Sequence, residues 1–238
     1  MCRLFGLISA DGVPKELLLE FMELAEHGKI GADFGCSKDT TRGHLDGWGV
    51  AVMGDENIFY KEGKPATRSE EMRKIVTKIS HLKHVNMIAH LRRASDKNTI
   101  SDENAHPFYA EHGRRAYYFA HNGSIEHYNY IAHGGIIDSK YLFNMLMTSI
   151  DEGIMGAIRK MKKDLEYTAL NFLLLSNGEI YAYRDAVKCT RYFTLYYATH
   201  GSMHVVCSEK LKYGKLKWKP IKNESLVRIT EKGVEVLM

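Results

Sequence analysis

The 238-residue sequence has no stretch apolar enough to cross a membrane as a helix, which takes about 18 consecutive apolar residues. Its N-terminus lacks the basic segment followed by an apolar one that marks a secretory signal. No tract rich in proline, glycine or serine divides the chain, and no internal repeat is visible. We therefore expect a cytoplasmic protein with one domain over residues 1–238 and no membrane partner.

Cysteine is also scarce. The four cysteines, Cys2, Cys36, Cys189 and Cys207, are far apart in the sequence and show neither the paired spacing of a zinc site nor the density of a disulfide scaffold. The twelve histidines form no His-Glu-x-x-His pattern. We expect no metal and no cofactor, and we interpret three of the cysteines as packing residues.

Charge of one sign is in slight excess, with a formal net charge of +4. Most of the excess lies in a basic stretch over residues 210–222, where lysines alternate with other residues. Such a stretch can contact nucleic acid or an acidic partner, but more often it is a solvated face. We assign it no function and expect no nucleic-acid partner.

What the sequence does have is a cysteine directly after the first methionine. Removal of Met1 would leave Cys2 with a thiol nucleophile and a free α-amino group on one residue. That amino group has an ordinary pKa near 8, so it can accept the thiol proton at neutral pH. A cysteine at this position could equally be a small packing residue or an inert surface thiol, so other segments must decide.

Five segments follow Cys2 in a fixed order. They are Arg42-Gly43-His44-Leu45-Asp46-Gly47-Trp48-Gly49, His90-Leu91-Arg92-Arg93-Ala94-Ser95, Asn104-Ala105-His106-Pro107-Phe108, His121-Asn122-Gly123-Ser124 and Asp138-Ser139. Behind an N-terminal cysteine, this series resembles the class II glutamine amidotransferases, whose glutaminase domain is an N-terminal-nucleophile hydrolase. The resemblance is greatest to the stand-alone members with Asp-Gly-Trp-Gly and no second catalytic domain.

The resemblance implies a catalytic set. Cys2 would attack the side-chain amide of L-glutamine and form a thioester, with its own amine moving the proton. The Asn122 side chain and the Gly123 amide would stabilise the oxyanion of the tetrahedral intermediate.

It also implies a set of substrate-binding residues. Because glutamine is a zwitterion, a selective pocket should offer a cation to its carboxylate and an anion to its ammonium group. Arg92 matches the arginine that binds the carboxylate, Ser95 a hydroxyl that helps, and Asp138 the aspartate that pairs with the ammonium. The plainer alternatives are that Arg92 forms a surface salt bridge and that Asp138 only caps a helix.

The segment around Asp-Gly-Trp-Gly resembles the loop beside the nucleophile. We expect Arg42, Gly43, Asp46, Gly47 and Trp48 to shape this loop, with glycines permitting close backbone approach. Trp48 is a pocket wall or a core residue, and we favour the core.

Other positions are expected to be structural or depart from the family pattern. His106 and Pro107 are interpreted as a structural turn. Arg93 stands where relatives tend to have an aromatic residue, which could alter the lid over the substrate. Lys140 stands where many relatives have an acidic residue, so the electrostatics there should differ.

Hydrophobic periodicity predicts an α+β protein. Helices are predicted over residues 14–28 and 154–165, after a Thr67/Glu70 capping box, and after Asp138 as a cap. Strands are predicted over residues 4–8, 48–53, 58–61, 86–91, 116–120, 168–175, 179–184, 192–198, 204–207, 226–230 and 234–237. Helices gathered between blocks of hairpin-linked strands indicate antiparallel sheets. The resemblance implies the four-layer αββα sandwich of N-terminal-nucleophile hydrolases.

Three functions remain open at this point. The first is a glutaminase that releases ammonia for a separate acceptor enzyme. The second is hydrolysis of another γ-glutamyl amide or peptide, because the same residues would recognise any γ-linked glutamyl group. The third is a non-catalytic binding subunit on the same fold.

Overall fold

The computed structural model describes residues 2–238, which contain four α-helices and thirteen strands. The helices are α1 (Lys15–His27), α2 (Glu70–Ile79), α3 (Asp138–Thr148) and α4 (Ile154–Asp164). The strands are β1 (Arg3–Ser9), β2 (Trp48–Gly54), β3 (Ile58–Glu62), β4 (Val85–Leu91), β5 (Phe108–His112), β6 (Arg115–Ile125), β7 (Tyr167–Ser176), β8 (Glu179–Arg184), β9 (Tyr196–His200), β10 (Met203–Cys207), β11 (Lys219–Pro220), β12 (Ser225–Thr230) and β13 (Gly233–Val236).

The strands form two antiparallel sheets. The first sheet has seven strands in the order β11-β9-β10-β1-β4-β2-β3, and the second has six in the order β13-β12-β8-β7-β6-β5. β1 lies at the centre of the first sheet, between β10 and β4. β6 pairs with β7 along nearly its whole length in the second sheet.

The apolar residues of β1 show how the layers stack. Phe5 and Leu7 belong to the core under α1 and α2, and the ring of Phe5 lies 4.9 Å from that of Phe21. Leu4 and Ile8 point the other way and belong to the core between the two sheets. Alternation along one strand therefore serves both faces, as expected for a sheet that is buried on both sides.

The other two helices cover the outer face of the second sheet. Leu142, Phe143 and Leu146 of α3 share a buried cluster with residues of β6 and β7. The rings of Phe143 and Phe119 stack at 5.1 Å. The order helices, sheet, sheet, helices confirms the predicted four-layer αββα sandwich.

A glycine lets the two sheets approach at the middle of β1. A Cβ atom on Gly6 would lie 2.8 Å from Val206 Cγ1 and 3.3 Å from Leu173 Cδ1, which belongs to the opposite sheet. Any larger residue would have to push the sheets apart or displace these side chains.

Most predicted elements are present, with shifted ends. The predicted helix over residues 14–28 is α1, flanked by Pro14 and Gly28. Two strands differ more: β6 continues to Ile125, and the strand predicted over residues 192–198 begins only at Tyr196. β5 was missed because its first residue, Phe108, ends a motif that was interpreted as a turn.

The predicted capping box at Thr67 is wrong. Thr67 lies in a short 3₁₀ turn, and its hydroxyl donates to Glu26 at 2.6 Å. Ser69 is the extended residue directly before α2, and its hydroxyl accepts from the Met72 amide at 3.2 Å. The turn displaces the helix start by two residues, so Ser69 takes the cap position.

The interpretation of three cysteines as packing residues is correct only for Cys207, which is fully buried. Cys36 and Cys189 form a disulfide, with their Cα atoms 5.8 Å apart. The two residues are 153 positions apart in sequence, so only the fold brings them together. Within residues 2–238, no helix has the length and apolarity that a membrane crossing requires.

We predict that Ser69→Ala lowers the free energy of unfolding by about 1 kcal/mol, because α2 loses its N-cap. The Ser69 hydroxyl also donates to Glu62 at 2.6 Å, which adds to the loss. Chemical denaturation would measure the change, with Thr67→Ala as the control. An equal or larger loss from Thr67→Ala would contradict the assignment of the cap.

Candidate active site

Four of the predicted site residues lie in or next to three strands that meet at one end of the sandwich. Cys2 precedes β1, and Arg92 follows β4. Because β1 and β4 are antiparallel, with Arg3 opposite Leu91, the start of one lies beside the end of the other. Asn122 and Gly123 lie in β6 of the facing sheet.

Cys2 is held by contacts from both sheets. Its backbone nitrogen donates to Asn122 Oδ1 at 2.8 Å. Its sulfur accepts from the Arg93 amide, with 3.4 Å between Sγ and N, and lies 3.7 Å from the Arg93 carbonyl oxygen. The side chain is half-buried and lines a cavity, so the thiol is reachable.

Asn122 is fully buried and uses only one end of its amide. Its Oδ1 receives the Cys2 nitrogen, whereas its Nδ2 has no hydrogen-bond partner among residues 2–238. Buried amide groups are normally hydrogen-bonded, so the unpaired Nδ2 donor next to Cys2 is suited to bind a ligand. The neighbouring position accepts only glycine, because a Cβ on Gly123 would lie 1.8 Å from the Ala169 carbonyl oxygen.

A cavity of about 390 Å³ opens beside the thiol. It is lined by Cys2, Arg92, Ser95, Gly123 and Asp138, among others. The fold thus brings together the predicted nucleophile, cation, hydroxyl and anion, which are spread over 137 positions of the sequence. Their catalytic and binding roles stay predictions.

Arg92 is buried, and its guanidinium is fixed from one side. It donates to the Thr99 carbonyl at 3.0 Å and to the Thr99 hydroxyl at 2.8 Å. Among residues 2–238 no carboxylate forms an ion pair with it, which argues against a surface salt bridge. Sequence reasoning missed Thr99, since its position relative to Arg92 depends on the path of the connecting loop.

Asp138 begins α3 rather than capping it, because Ile137 is the capping residue. Its carboxylate accepts from the Ser139 amide at 2.7 Å and from the Ile125 amide at 3.2 Å. A carboxylate in the first turn of a helix is stabilised by the helix dipole. It stands as a fixed negative charge on the cavity wall.

The Asp-Gly-Trp-Gly segment supports the residues after β4 without lining the cavity itself. Asp46 accepts from the Ala94 amide at 2.9 Å and pairs with Lys97. Two backbone hydrogen bonds join the segments, from Asp46 to the Arg92 carbonyl and from the Arg92 amide to Gly47. Trp48 is fully buried in the core under α1 and α2, in agreement with the interpretation we favoured.

The residues at the start of this loop, around Arg42 and Gly43, do not line the cavity. Arg42 is exposed and pairs with Asp33 at 2.6 Å. The carbonyl oxygen of Gly43 accepts from the Arg93 guanidinium at 2.9 Å. Arg93 also pairs with Asp39 at 2.7 Å, so a residue whose backbone touches the Cys2 sulfur holds this loop in place.

Three buried histidines form a group beside the cavity, one from each of three motifs. The rings of His90 and His106 lie 4.2 Å apart, and His90 Nε2 lies 3.2 Å from the His121 carbonyl oxygen. His121 is hydrogen-bonded to Ser139 Oγ at 2.9 Å. Burial lowers the pKa of His90 to about 3, and it lowers the pKa of His106 and of His121 as well.

The three imidazoles are therefore neutral at physiological pH, and they add no positive charge beside Arg92. His106 and His121 line the cavity, and the interpretation of His106 and Pro107 as a structural turn stays a prediction. The sequence signal for this histidine group was that the motifs containing His90, His106 and His121 each carry a histidine.

A metal was not expected, and that stays a prediction. Within residues 2–238 one group of three possible ligands lies close together, namely Glu126, His127 and Glu166. Two of the three are exposed, and such surface groups are common without a metal.

Comparison with known proteins identifies the family. A family model for the class II glutamine amidotransferases matches residues 1–206, so the chain belongs to this family of enzymes. The chain is 27% identical to "Putative glutamine amidotransferase YafJ" of Escherichia coli (strain K12) over 194 residues, which cover 75% of this chain and 70% of that protein.

Solved structures agree on the fold. Glutamine phosphoribosylpyrophosphate amidotransferase from B. subtilis, complexed with ADP and GMP, matches with a TM-score of 0.70 at 17% identity. The match covers 99% of this chain and 48% of the other, so this chain spans about half the length of that enzyme. A glutamine aminotransferase class-II domain protein from Silicibacter pomeroyi has a TM-score of 0.59 at 17% identity, and the match covers 98% and 97% of the two chains.

We predict that Asp46→Ala loosens the segment after β4 without unfolding the protein. Hydrogen exchange in a peptide spanning residues 92–99 should be faster by roughly tenfold, because a hydrogen bond to a charged group is worth about 1.5–3 kcal/mol. Arg42→Ala is the control from the same loop, since its exposed ion pair contributes little. Equal exchange in both variants would show that Asp46 does not support the segment.

Proposed function

We propose that this protein hydrolyses the side-chain amide of L-glutamine to glutamate and ammonia through a thioester on Cys2. The active form would lack Met1, a residue outside the part of the chain that the structure describes. The ammonia would pass to a separate acceptor enzyme.

The observation that carries this proposal is the two-sided use of Asn122. Its Oδ1 accepts from the Cys2 nitrogen at 2.8 Å, and its Nδ2 is buried without a partner within residues 2–238. The first contact would orient the α-amine of the processed protein as the base. The second end of the same amide would donate to the oxyanion, together with the Gly123 amide.

The steps follow from these positions. The amine takes the thiol proton, and the thiolate adds to the amide carbon of the substrate. When the tetrahedral intermediate collapses, the carbon–nitrogen bond breaks and ammonia leaves with the proton that the amine returns. Water then attacks the thioester, which releases glutamate and restores the Cys2 thiol.

The charges on the cavity wall suit the two ends of glutamine. Arg92, held by Thr99, would bind the α-carboxylate, and Asp138 would bind the α-ammonium. Ser95 is exposed at the cavity rim, where a hydroxyl could reach the carboxylate. Because the histidines are neutral, the charged residues in the lining balance, with Arg92 and Arg93 against Asp96 and Asp138.

The test is glutamine hydrolysis by protein whose mass shows that Met1 is absent. Asn122→Ala should lower kcat by about a hundredfold or more with a smaller change in KM, because the donor acts on the transition state. Asn144→Ala, on the exposed face of α3, is the matched control and should leave kcat unchanged. A kcat that Asn122→Ala does not alter would refute this role, provided thermal unfolding shows both variants folded.

A second candidate, hydrolysis of γ-glutamyl amides or peptides, has an observation of its own. The cavity adjoins a more open hollow of about 600 Å³, and the two share Asp96, Tyr128 and Tyr130 as lining residues. A substrate longer than glutamine could extend from one into the other.

Comparison of kcat/KM for glutamine with that for γ-glutamyl dipeptides would separate the two substrates. We expect glutamine to be the better substrate of the processed protein, because the cavity itself already offers groups for both ends of a single amino acid. A dipeptide preference with no detectable glutamine hydrolysis would favour the second candidate instead.

A further inference from the structure

A second cavity, of about 410 Å³, lies against the first and shares Ile137 with it. It opens between the edge strand β3 of one sheet and the edge strand β5 of the other. Its lining includes Phe59, Lys61, Tyr109 and Lys140. None of these residues takes part in the proposed glutaminase chemistry.

The ammonium groups of the two lysines lie near the same aromatic ring. Lys61 Nζ lies 5.2 Å and Lys140 Nζ 5.1 Å from the centre of the Phe108 ring, and Lys140 is also 5.2 Å from that of Phe143. Lys61 donates to two backbone carbonyls, those of Glu103 at 2.7 Å and Ala105 at 3.0 Å. Within residues 2–238, neither ammonium group forms an ion pair with a carboxylate.

Both ammonium groups are partly buried, which disfavours their charged forms. Burial, with repulsion from Lys140, lowers the pKa of Lys61 to about 8, and burial lowers the pKa of Lys140 too. The carboxylates of Glu103, which lines the cavity, and Asp102 act in the opposite direction on the pKa of Lys61. Asp102 does not line the cavity, so within the described lining the two lysines face one carboxylate and leave a net positive charge.

The position of Lys140 in α3 also disfavours its charged form. It lies in the first turn of α3, where the helix dipole favours anions and disfavours cations. A half-buried cation at an unfavourable helix position is typical of a residue retained for binding.

The remaining wall of the cavity is apolar and exposed. Phe59, Tyr109 and Ile136 are 42%, 37% and 38% exposed, and all three line this one cavity. The rings of Phe59 and Tyr109 lie 5.9 Å apart, and each also contacts Tyr118 behind them. Clustered exposed apolar side chains mark binding sites far more often than isolated ones do.

We propose that this cavity binds a small aromatic or heterocyclic anion, with its ring against Phe59 and Tyr109 and its anionic group between Lys61 and Lys140. The volume lies in the usual range for small-molecule sites, about 300–1,000 Å³. The bound anion would supply the negative charge that the two lysines lack.

This site would lie next to the groups that fix Arg92. Asn104 lines the second cavity, and its amide donates to the Thr99 carbonyl at 3.1 Å, the same oxygen that accepts from Arg92. A ligand here would therefore sit beside the substrate cavity and away from the Cys2 thiol. The proposal does not depend on glutaminase activity, because binding alone tests it.

The experiment is calorimetric titration of the full chain with 2-naphthoate, 2-naphthyl phosphate and the uncharged 2-naphthylmethanol. We expect both anions to bind at least tenfold more tightly than the alcohol. The tighter of the two identifies the natural anionic group as a carboxylate or a phosphate. Lys140→Met should weaken binding of the anions at least tenfold, and Phe59→Ala should weaken the binding of all three probes.

Lys217→Met, at an exposed lysine, is the control and should leave binding unchanged. Thermal unfolding separates binding from a structural role, because we expect Lys140→Met to leave the melting temperature unchanged or raised. Anions that bind no more tightly than the alcohol would overturn the proposal. So would a Lys140→Met protein that melts lower but binds the anions as the unaltered protein does.

Discussion

The contact between the Cys2 nitrogen and Asn122 Oδ1 joins the two sheets at the end of the sandwich where the site lies. Cys2 precedes the central strand of one sheet, and Asn122 lies in β6 of the other. The contact requires that the sheets approach closely, which Gly6 permits at the middle of β1. The cavity, the reachable thiol and the unused Asn122 donor all depend on this junction.

Charge is divided differently between the two neighbouring cavities. The lining of the first contains two residues of each sign, Arg92 and Arg93 against Asp96 and Asp138, while burial keeps the surrounding histidines neutral. The second offers Lys61 and Lys140 with only the exposed Glu103 carboxylate in its lining. A zwitterion suits the first arrangement and an anion suits the second, so the two sites would select different molecules from one pool.

The sequence predicted the parts of this structure that depend on local pattern or on an ordered series of motifs. Periodicity placed β1 and α1 within one or two residues. The motif series predicted that Cys2, Arg92 and Asp138 would share a cavity, which they do. The capping-box prediction was wrong at α2, where both Thr67 and Ser69 could cap a helix. A 3₁₀ turn at Thr67 shifts the helix start, so Ser69 is the cap.

Three contacts between segments that lie far apart in the chain could not be predicted from the sequence. The Cys36–Cys189 disulfide, the Thr99 contacts of Arg92 and the lysines around Phe108 each depend on how loops cross the ends of the sheets. No periodicity records such crossings, because they are set by tertiary packing.

Intact-mass analysis of protein lacking Met1, after reaction with an alkylating glutamine analogue, tests the central claim most directly. The account predicts one adduct per chain, carried by Cys2, lost in Cys2→Ala and prevented by excess glutamine. Labelling that Cys2→Ala leaves unaffected would contradict it.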